Sequence, residues 1–224
     1  RVPAEWLITL PEAFTPMEAM ALGTAGYTAM LAVDELERAG VAQGAEVVVT
    51  GAAGGVGSVA LVLLRGAGFR PVAVTGRESL ADYLRELGAV EVLPRATLSE
   101  PTKGPLASAR WPGAVDTGGG AGLANLLKTM AYEGTVAACG LAGGVEVATT
   151  VMPFILRGVR LVGVESVYQP LHRREAIWQR LAELMPSERL AEMSRVVPMD
   201  EVPAVAEELL AGRVRGRTVV DVKG

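Results

Sequence analysis

The sequence predicts an α/β fold, a doubly wound parallel sheet with helices on both faces. Three observations point there. Short runs of β-branched and small apolar residues alternate with helical stretches at roughly 20–30 residues per unit, the period of a strand–helix–strand repeat. A glycine-rich turn, Gly51-Ala52-Ala53-Gly54-Gly55-Val56-Gly57, stands between the first such run and the helix after it. Half of the 224 residues are apolar, only 4% are aromatic and 27 are glycine, which suits Ala/Val/Leu-rich helices on a buried sheet and not a β-sandwich or a disordered chain.

Element by element, Thr15 is a good N-cap, with Pro16 at the first helical position and Glu18 in the first turn. This helix is expected to run to Ala39, with a break at Gly23-Thr24-Ala25-Gly26 and a stop at Gly40. Val47-Val48-Val49 reads as a strand buried on both faces. Helix follows from Gly54 to Gly68, then strand at Val72–Val74, helix from Leu80 to Leu87 and strand at Val90–Leu93. The largely polar stretch from Leu98 to Arg110 reads as a surface loop. Ala114-Val115 is a fourth strand, Leu123–Met130 a helix, Thr135–Ala138 a fifth strand and Val159–Val164 a sixth. The tail reads as helices at Arg173–Leu184 and Asp200–Leu210, then a last strand at Thr218–Val220.

The glycine turn carries the chemistry. After a hydrophobic strand and before a helix, Gly54 lets the backbone approach a pyrophosphate, Gly57 lets the helix pack closely on the sheet, and the helix N-terminus offers unpaired N–H groups to an anion. This is the dinucleotide fingerprint of a Rossmann fold, with Ala52 in place of its first glycine. The alternative short-chain dehydrogenase pattern needs a Tyr followed four residues later by Lys. Tyr27, Tyr83, Tyr132 and Tyr168 are followed there by Leu31, Leu87, Val136 and His172, so that reading fails.

An NAD site normally places a carboxylate at the end of the second strand, on the ribose 2′-hydroxyl. Here the strand ends in Thr75-Gly76-Arg77, and Arg95 follows the third strand. A guanidinium pairs bidentately with a phosphate, so NADPH is the expected cofactor, with Glu78 the residue nearby that argues the other way. The same missing carboxylate counts against a methyltransferase.

Net charge is −4 with acids and bases interspersed, so nucleic acid is not an expected partner. No apolar run reaches ~20 residues, so no membrane span is expected. A single cysteine, Cys139, and a single histidine, His172, leave no disulfide framework and almost no zinc site. The expectation is a cytoplasmic protein acting on a small molecule. Cys139 reads as a small core filler and His172 as solvated surface. Arg173, Arg174 and Arg180 are read as a solvated helix face, with coenzyme A phosphates the alternative.

Gly23-Thr24-Ala25-Gly26-Tyr27-Thr28-Ala29, the glycine turn and Ala114-Val115-Asp116-Thr117 together resemble the medium-chain dehydrogenase/reductase superfamily, on its zinc-free quinone oxidoreductase side. Thr75–Ser79, Ala137–Gly144 and Met152–Arg157 make the chain similar to the NADPH-dependent acrylyl-CoA reductase branch. Gly118 departs from the pattern, where an apolar residue is usual. The resemblance implies that Ala53, Gly54, Gly55, Val56 and Gly57 hold the pyrophosphate and that Thr75, Gly76, Arg77 and Arg95 hold the 2′-phosphate. It implies further that Leu141, Ile155 and Ser166 line the nicotinamide end.

The resemblance also implies an N-terminal β domain of ~100 residues ahead of Arg1. The expectation is therefore a truncated piece or proteolytic fragment, the alternative being a natural cofactor-only protein. Residues 1–26 are expected to be a linker and interdomain segment, 27–170 the NADP-binding domain, and 171–224 helices and a strand packing on that domain or on the missing one. A homodimer through Arg157–Ser166 is expected by analogy of fold. The implied function is NADPH-dependent reduction of an activated carbon–carbon double bond, an enoyl thioester such as acrylyl-CoA. A quinone or alkenal reductase and a noncatalytic NADPH-binding module are the alternatives.

Overall fold

The computed structural model describes residues 1–99 and 104–223. Helix α1 (Pro16–Arg38) opens with a capping box: Glu18 N donates to Thr15 Oγ1 at 3.2 Å while Thr15 N donates to Glu18 Oε2 at 2.8 Å. The expected break is a kink at Gly23, whose φ of +48° and ψ of −151° lie outside the range an L side chain takes readily. Then come β1 (Glu46–Thr50), α2 (Gly55–Gly66), β2 (Arg70–Thr75), α3 (Ala81–Glu86), β3 (Glu91–Pro94) and α4 (Ala96–Ser99). The second half adds β4 (Trp111–Asp116), α5 (Gly120–Thr129), β5 (Met130–Ala138), α6 (Met152–Arg157) and β6 (Arg160–Gly163). The tail holds α7 (Leu171–Leu184), α8 (Ser187–Glu192), β7 (Ser194–Pro198), α9 (Val202–Leu210) and β8 (Arg217–Asp221).

Six parallel strands run in the order β3-β2-β1-β4-β5-β6. Val48 pairs with Val72 on one side and Ala114 on the other, so β1 is central. Strand residues alternate between two apolar layers, as the period of two requires. Val47, Val49, Ala73 and Val115 pack with α1, α2 and α7 on one face. Val48, Val72, Ala114 and Val136 pack with Leu98, Leu126 and Leu127 on the other. The strand order reverses between β1 and β4, which opens a crevice at their carboxyl ends, where open α/β sheets bind ligands. Among the described residues no helix is long and apolar enough to cross a membrane.

The structure differs from the sequence reading in four places. Leu98 is not in a loop: it is buried at the end of α4, and its carbonyl accepts from Asn125 Nδ2 at 2.8 Å. Residues 104–110 are irregular as expected, while 100–103 lie outside the described residues. Helices α6 and α8, six residues each, are too short to show a periodic pattern. Strand β7 was not expected either. Only Val197 in it is buried, and it exists because it pairs in register with the last strand, Val196 with Val219.

The arginines of α7 are not a solvated face. Arg173 reaches Glu35 and Asp34 at 2.5 and 3.3 Å, and Arg180 reaches Asp34 and Glu37 at 3.1 and 2.7 Å. They tie α7 to the carboxylates on the last turns of α1, while Arg174 donates to the Trp6 carbonyl at 2.9 Å. Ile177, Leu181, Met185, Leu190, Met193 and Val219 from the tail join the apolar cluster of α1 and α2. The position between residues 26 and 27 falls inside α1, just beyond its kink.

Candidate functional site

At the carboxyl end of β1 the chain turns through Gly51–Gly54 into α2. No side chain caps this helix, and the first N–H groups of an α-helix have no intrahelical acceptors. The glycines are set by space. A β-carbon added at Gly57 would lie 2.7 Å from Cα of Ala52, so close packing of helix and turn depends on its absence. Ser58 Oγ donates to the Ala52 carbonyl at 3.2 Å, and Tyr83 Oη donates to Ser58 Oγ at 3.1 Å. The turn is thus held from below.

Residues from the next strands gather on the same side. Thr75 is buried at the end of β2; its Oγ1 accepts from Arg77 N at 3.1 Å and its carbonyl from Arg95 N at 2.7 Å. Arg77 Nη2 donates to the Ala53 carbonyl at 3.3 Å. The Arg95 guanidinium lies against Gly76: a β-carbon there would come within 2.7 Å of its Cζ. So Ala53–Gly57, Thr75, Gly76, Arg77 and Arg95 are brought to one corner of the sheet. Leu141 lines a shallow pocket of ≈380 Å³ with Cys139 and Glu165. Ser166 lines a separate cleft of ≈790 Å³ bounded by Gly23, Thr24, Tyr27 and Trp178. Ile155 lies on the outer face of α6, 72% exposed.

Two loops beyond β4 and β5 interlock beside this corner. Thr50 Oγ1 donates to Asp116 Oδ1 at 2.7 Å, Gly119 N donates to Asp116 Oδ2 at 2.7 Å, and Gly143 N donates to the Gly118 carbonyl at 2.7 Å. Burial holds the Asp116 carboxyl above its ordinary pKa against the opposing pull of these donors. Cys139 is half-buried, its thiol 3.4 Å from the Asp116 carbonyl and pushed up to about 12, first by burial and then by Asp116. It is a thiol and not a nucleophile.

The sequence reading missed the segment before β8. Gly216 N donates to the Ala53 carbonyl at 3.0 Å. Arg217 reaches between α1 and α2: Nε donates to the Ala21 carbonyl at 2.5 Å, and a β-carbon at Gly55 would lie 2.8 Å from its Nη1. Burial lowers its pKa. Among the described residues Arg77 and Arg217 have no carboxylate partner. A cation beside a helix N-terminus is electrostatically unfavourable alone and favourable with an anion between them. No local signal marks these residues, because they join the site only through pairing of the last strand.

An uncapped helix start, a turn of glycine and alanine and guanidinium groups at the switch point define a dinucleotide-binding domain, and the residues fit a phosphate-rich nucleotide. The chain belongs to the zinc-binding dehydrogenase family, whose model matches residues 55–185, within the medium-chain dehydrogenase/reductase superfamily. It is 49% identical over 222 residues to acrylyl-CoA reductase AcuI of Ruegeria pomeroyi, covering 99% of this chain and 67% of that protein. It is 45% identical to the putative quinone oxidoreductase YhfP of Bacillus subtilis, over 98% of this chain and 67% of the relative.

Among solved structures, the yhdH oxidoreductase of Salmonella enterica in complex with NADP superposes with a TM-score of 0.95 at 47% identity, over 99% of this chain and 68% of that one. Bacillus subtilis yhfP with NAD bound gives 0.93 at 45%, with the same coverage. Among the described residues there is no group of three or more His, Cys, Asp or Glu side chains able to hold a metal ion.

Proposed function

We propose that this chain is the cofactor-binding part of an NADPH-dependent reductase of activated carbon–carbon double bonds, acting on an enoyl thioester such as acrylyl-CoA. The observation that carries the reading is the corner where the glycine turn, the start of α2 and the guanidinium groups meet. Ala53, Gly54, Gly55, Val56 and Gly57 would hold the pyrophosphate, with Arg217 beside Gly55 as its counter-charge. Thr75, Gly76, Arg77 and Arg95 would hold the adenosine 2′-phosphate, and Leu141, Ile155 and Ser166 would lie toward the nicotinamide. Bound NADPH supplies a hydride; the chain's part is to fix its phosphates and aim the nicotinamide into the crevice.

In the proposed reaction the hydride adds to the β-carbon of the thioester and the α-carbon takes a proton. The 49% identity to an acrylyl-CoA reductase supports this substrate class. A quinone or alkenal as acceptor is the second reading, supported by the relative named a putative quinone oxidoreductase. We keep with the first reading a homodimer through the outer edge of β6, which ends the sheet with Leu161 40% exposed. A cytoplasmic setting, in keeping with the lone cysteine, goes with it.

Calorimetry with NADPH and NADH tests the cofactor reading. NADPH is expected to bind more tightly, and Arg77→Ala to cost roughly 10–100-fold for NADPH alone, about 1.4–2.8 kcal/mol. Equal affinity for both cofactors overturns it. NADPH oxidation by the native gene product with acrylyl-CoA against a quinone then separates the two substrate classes.

A further inference from the structure

The nucleotide corner has a further cation besides Arg77, Arg95 and Arg217. Arg215, in the segment leading into β8, lays its guanidinium over the ring of Tyr83, Cζ 4.6 Å from the ring centroid. Tyr83 is itself fixed: it is buried, and its hydroxyl donates to Ser58, which in turn donates to the carbonyl of Ala52 in the glycine turn. The next residue, Gly216, donates its N–H to the Ala53 carbonyl at 3.0 Å, and Arg77 Nη2 donates to that same oxygen at 3.3 Å. One carbonyl oxygen therefore ties the Gly216 backbone, next to Arg215, and the Arg77 guanidinium to a single point. The charges of Arg215 and Arg77 are both felt at the Tyr83 hydroxyl.

Among the described residues neither Arg77 nor Arg215 forms an ion pair with a carboxylate. Several arginines that brace the fold do have carboxylate partners, while Arg157 is held by carbonyls instead. Arg173 and Arg180 each contact two carboxylates, and Arg195 reaches Glu208 at 2.8 Å. Two guanidinium groups tied to the same turn, Arg77 directly and Arg215 through the residue after it, both gain from a multiply charged anion placed between them. An aromatic platform under one of them keeps that side chain extended instead of swinging away into water.

We propose that Arg215 is a specificity-determining residue of the cofactor site, closing on the adenosine 2′-phosphate from the C-terminal segment, opposite Arg77. The inference rests on reading this corner as a nucleotide site and adds that discrimination for the 2′-phosphate is shared between the end of β2 and the start of β8. Arg217 acts on a different group, since it lies at Gly55 on the α1 side of the cradle.

The test uses two small probes, adenosine 2′,5′-bisphosphate and adenosine 5′-monophosphate, titrated calorimetrically into the chain and its variants. The wild type is expected to prefer the bisphosphate. Arg215→Gln is expected to weaken bisphosphate binding roughly tenfold, about 1.4 kcal/mol, and leave the monophosphate unchanged, with Arg215→Lys recovering part of the loss. Tyr83→Leu, which removes the platform and also the hydrogen bond to Ser58, should weaken both probes, whereas Tyr83→Phe, which keeps the ring, should retain the preference for the bisphosphate. Arg215 is exposed, so the Gln variant should melt within a few degrees of wild type.

Unchanged bisphosphate binding in Arg215→Gln, or an equal loss for both probes, overturns the proposal while leaving the nucleotide site standing. Failure of the wild type to bind either probe removes the site itself, and the proposal with it.

Discussion

The backbone N–H of Gly216 donates to the carbonyl of Ala53 at 3.0 Å, joining the start of the last strand to the turn proposed to hold the pyrophosphate. The turn is therefore braced by the C-terminal segment as well as by its own glycines. Its shape depends on β8 being docked as much as on the glycine motif.

Gly57→Ala is the sharpest test of that shape. The new β-carbon would meet backbone atoms of Gly51 and Ala52, which cannot yield as a flexible side chain can. Thermal or urea unfolding is expected to show a loss of about 1–3 kcal/mol from overpacking, with NADPH affinity falling at least tenfold. Wild-type affinity in a folded Gly57→Ala variant would show that the helix does not need to start so close to the turn.

Arg217→Met separates stability from binding. The guanidinium is partly buried and keeps one hydrogen bond, to the Ala21 carbonyl, so its removal relieves a desolvated charge while losing that bond. Unfolding free energy without cofactor is expected to change by no more than about 1 kcal/mol. Binding of NADPH and NADH should weaken together, because both carry the pyrophosphate. A loss confined to NADPH would move Arg217 to the 2′-phosphate.

Asp116 has a pH signature with a definite sign. Burial raises its carboxyl above the ordinary 3.8, so in the window just above that value the folded state holds the proton more firmly than the unfolded chain. Its contribution to stability is full below the unfolded pKa and declines as pH rises through the folded one. Carboxylates with lowered pKa, such as Glu18, slope the other way, so the difference between variants isolates the effect. Urea titrations from pH 4 to 7 should show wild type losing ground to Asp116→Asn as pH rises; the reverse trend would refute the assignment.

Arg157 braces the back of the second apolar layer. It donates to the carbonyls of Lys128 and Met130 at 2.9 and 3.0 Å, and to that of Ala107 at 2.5 Å. A cation is well placed at the end of α5, where carbonyls lack helical partners. Arg157→Met is expected to cost about 2–4 kcal/mol in unfolding free energy, through carbonyls left unpaired. Cofactor affinity should hold in the folded fraction.

Cys139 should be inert. With its thiol pushed up to about 12, alkylation of the native protein at pH 8 should run far slower than in urea. Comparable rates would mean that the pocket beside Leu141 and Glu165 leaves the sulfur open and ionisable.

Much of this was legible in the residues themselves. Val47–Val49 announced a strand buried on both faces, and Thr15-Pro16 with Glu18 announced a helix start, because these signals are local: branching at Cβ, a cap and its N3 partner. The glycine turn was legible for the same reason, since the close approach of backbone to backbone at Gly57 leaves no room for a β-carbon. The carboxylate missing at Thr75-Gly76-Arg77 could likewise be read from one strand end.

What the sequence determined by itself was the repeat of strands and helices and the glycine turn between β1 and α2. Tertiary structure alone decided that β7 exists, that Arg173 and Arg180 face the carboxylates of α1 instead of water, and that Arg215, Gly216 and Arg217 arrive at Tyr83, Ala53 and Gly55. Those contacts join residues far apart in the chain, and their partners are fixed by sheet pairing and helix packing. No spacing along the polypeptide encodes them.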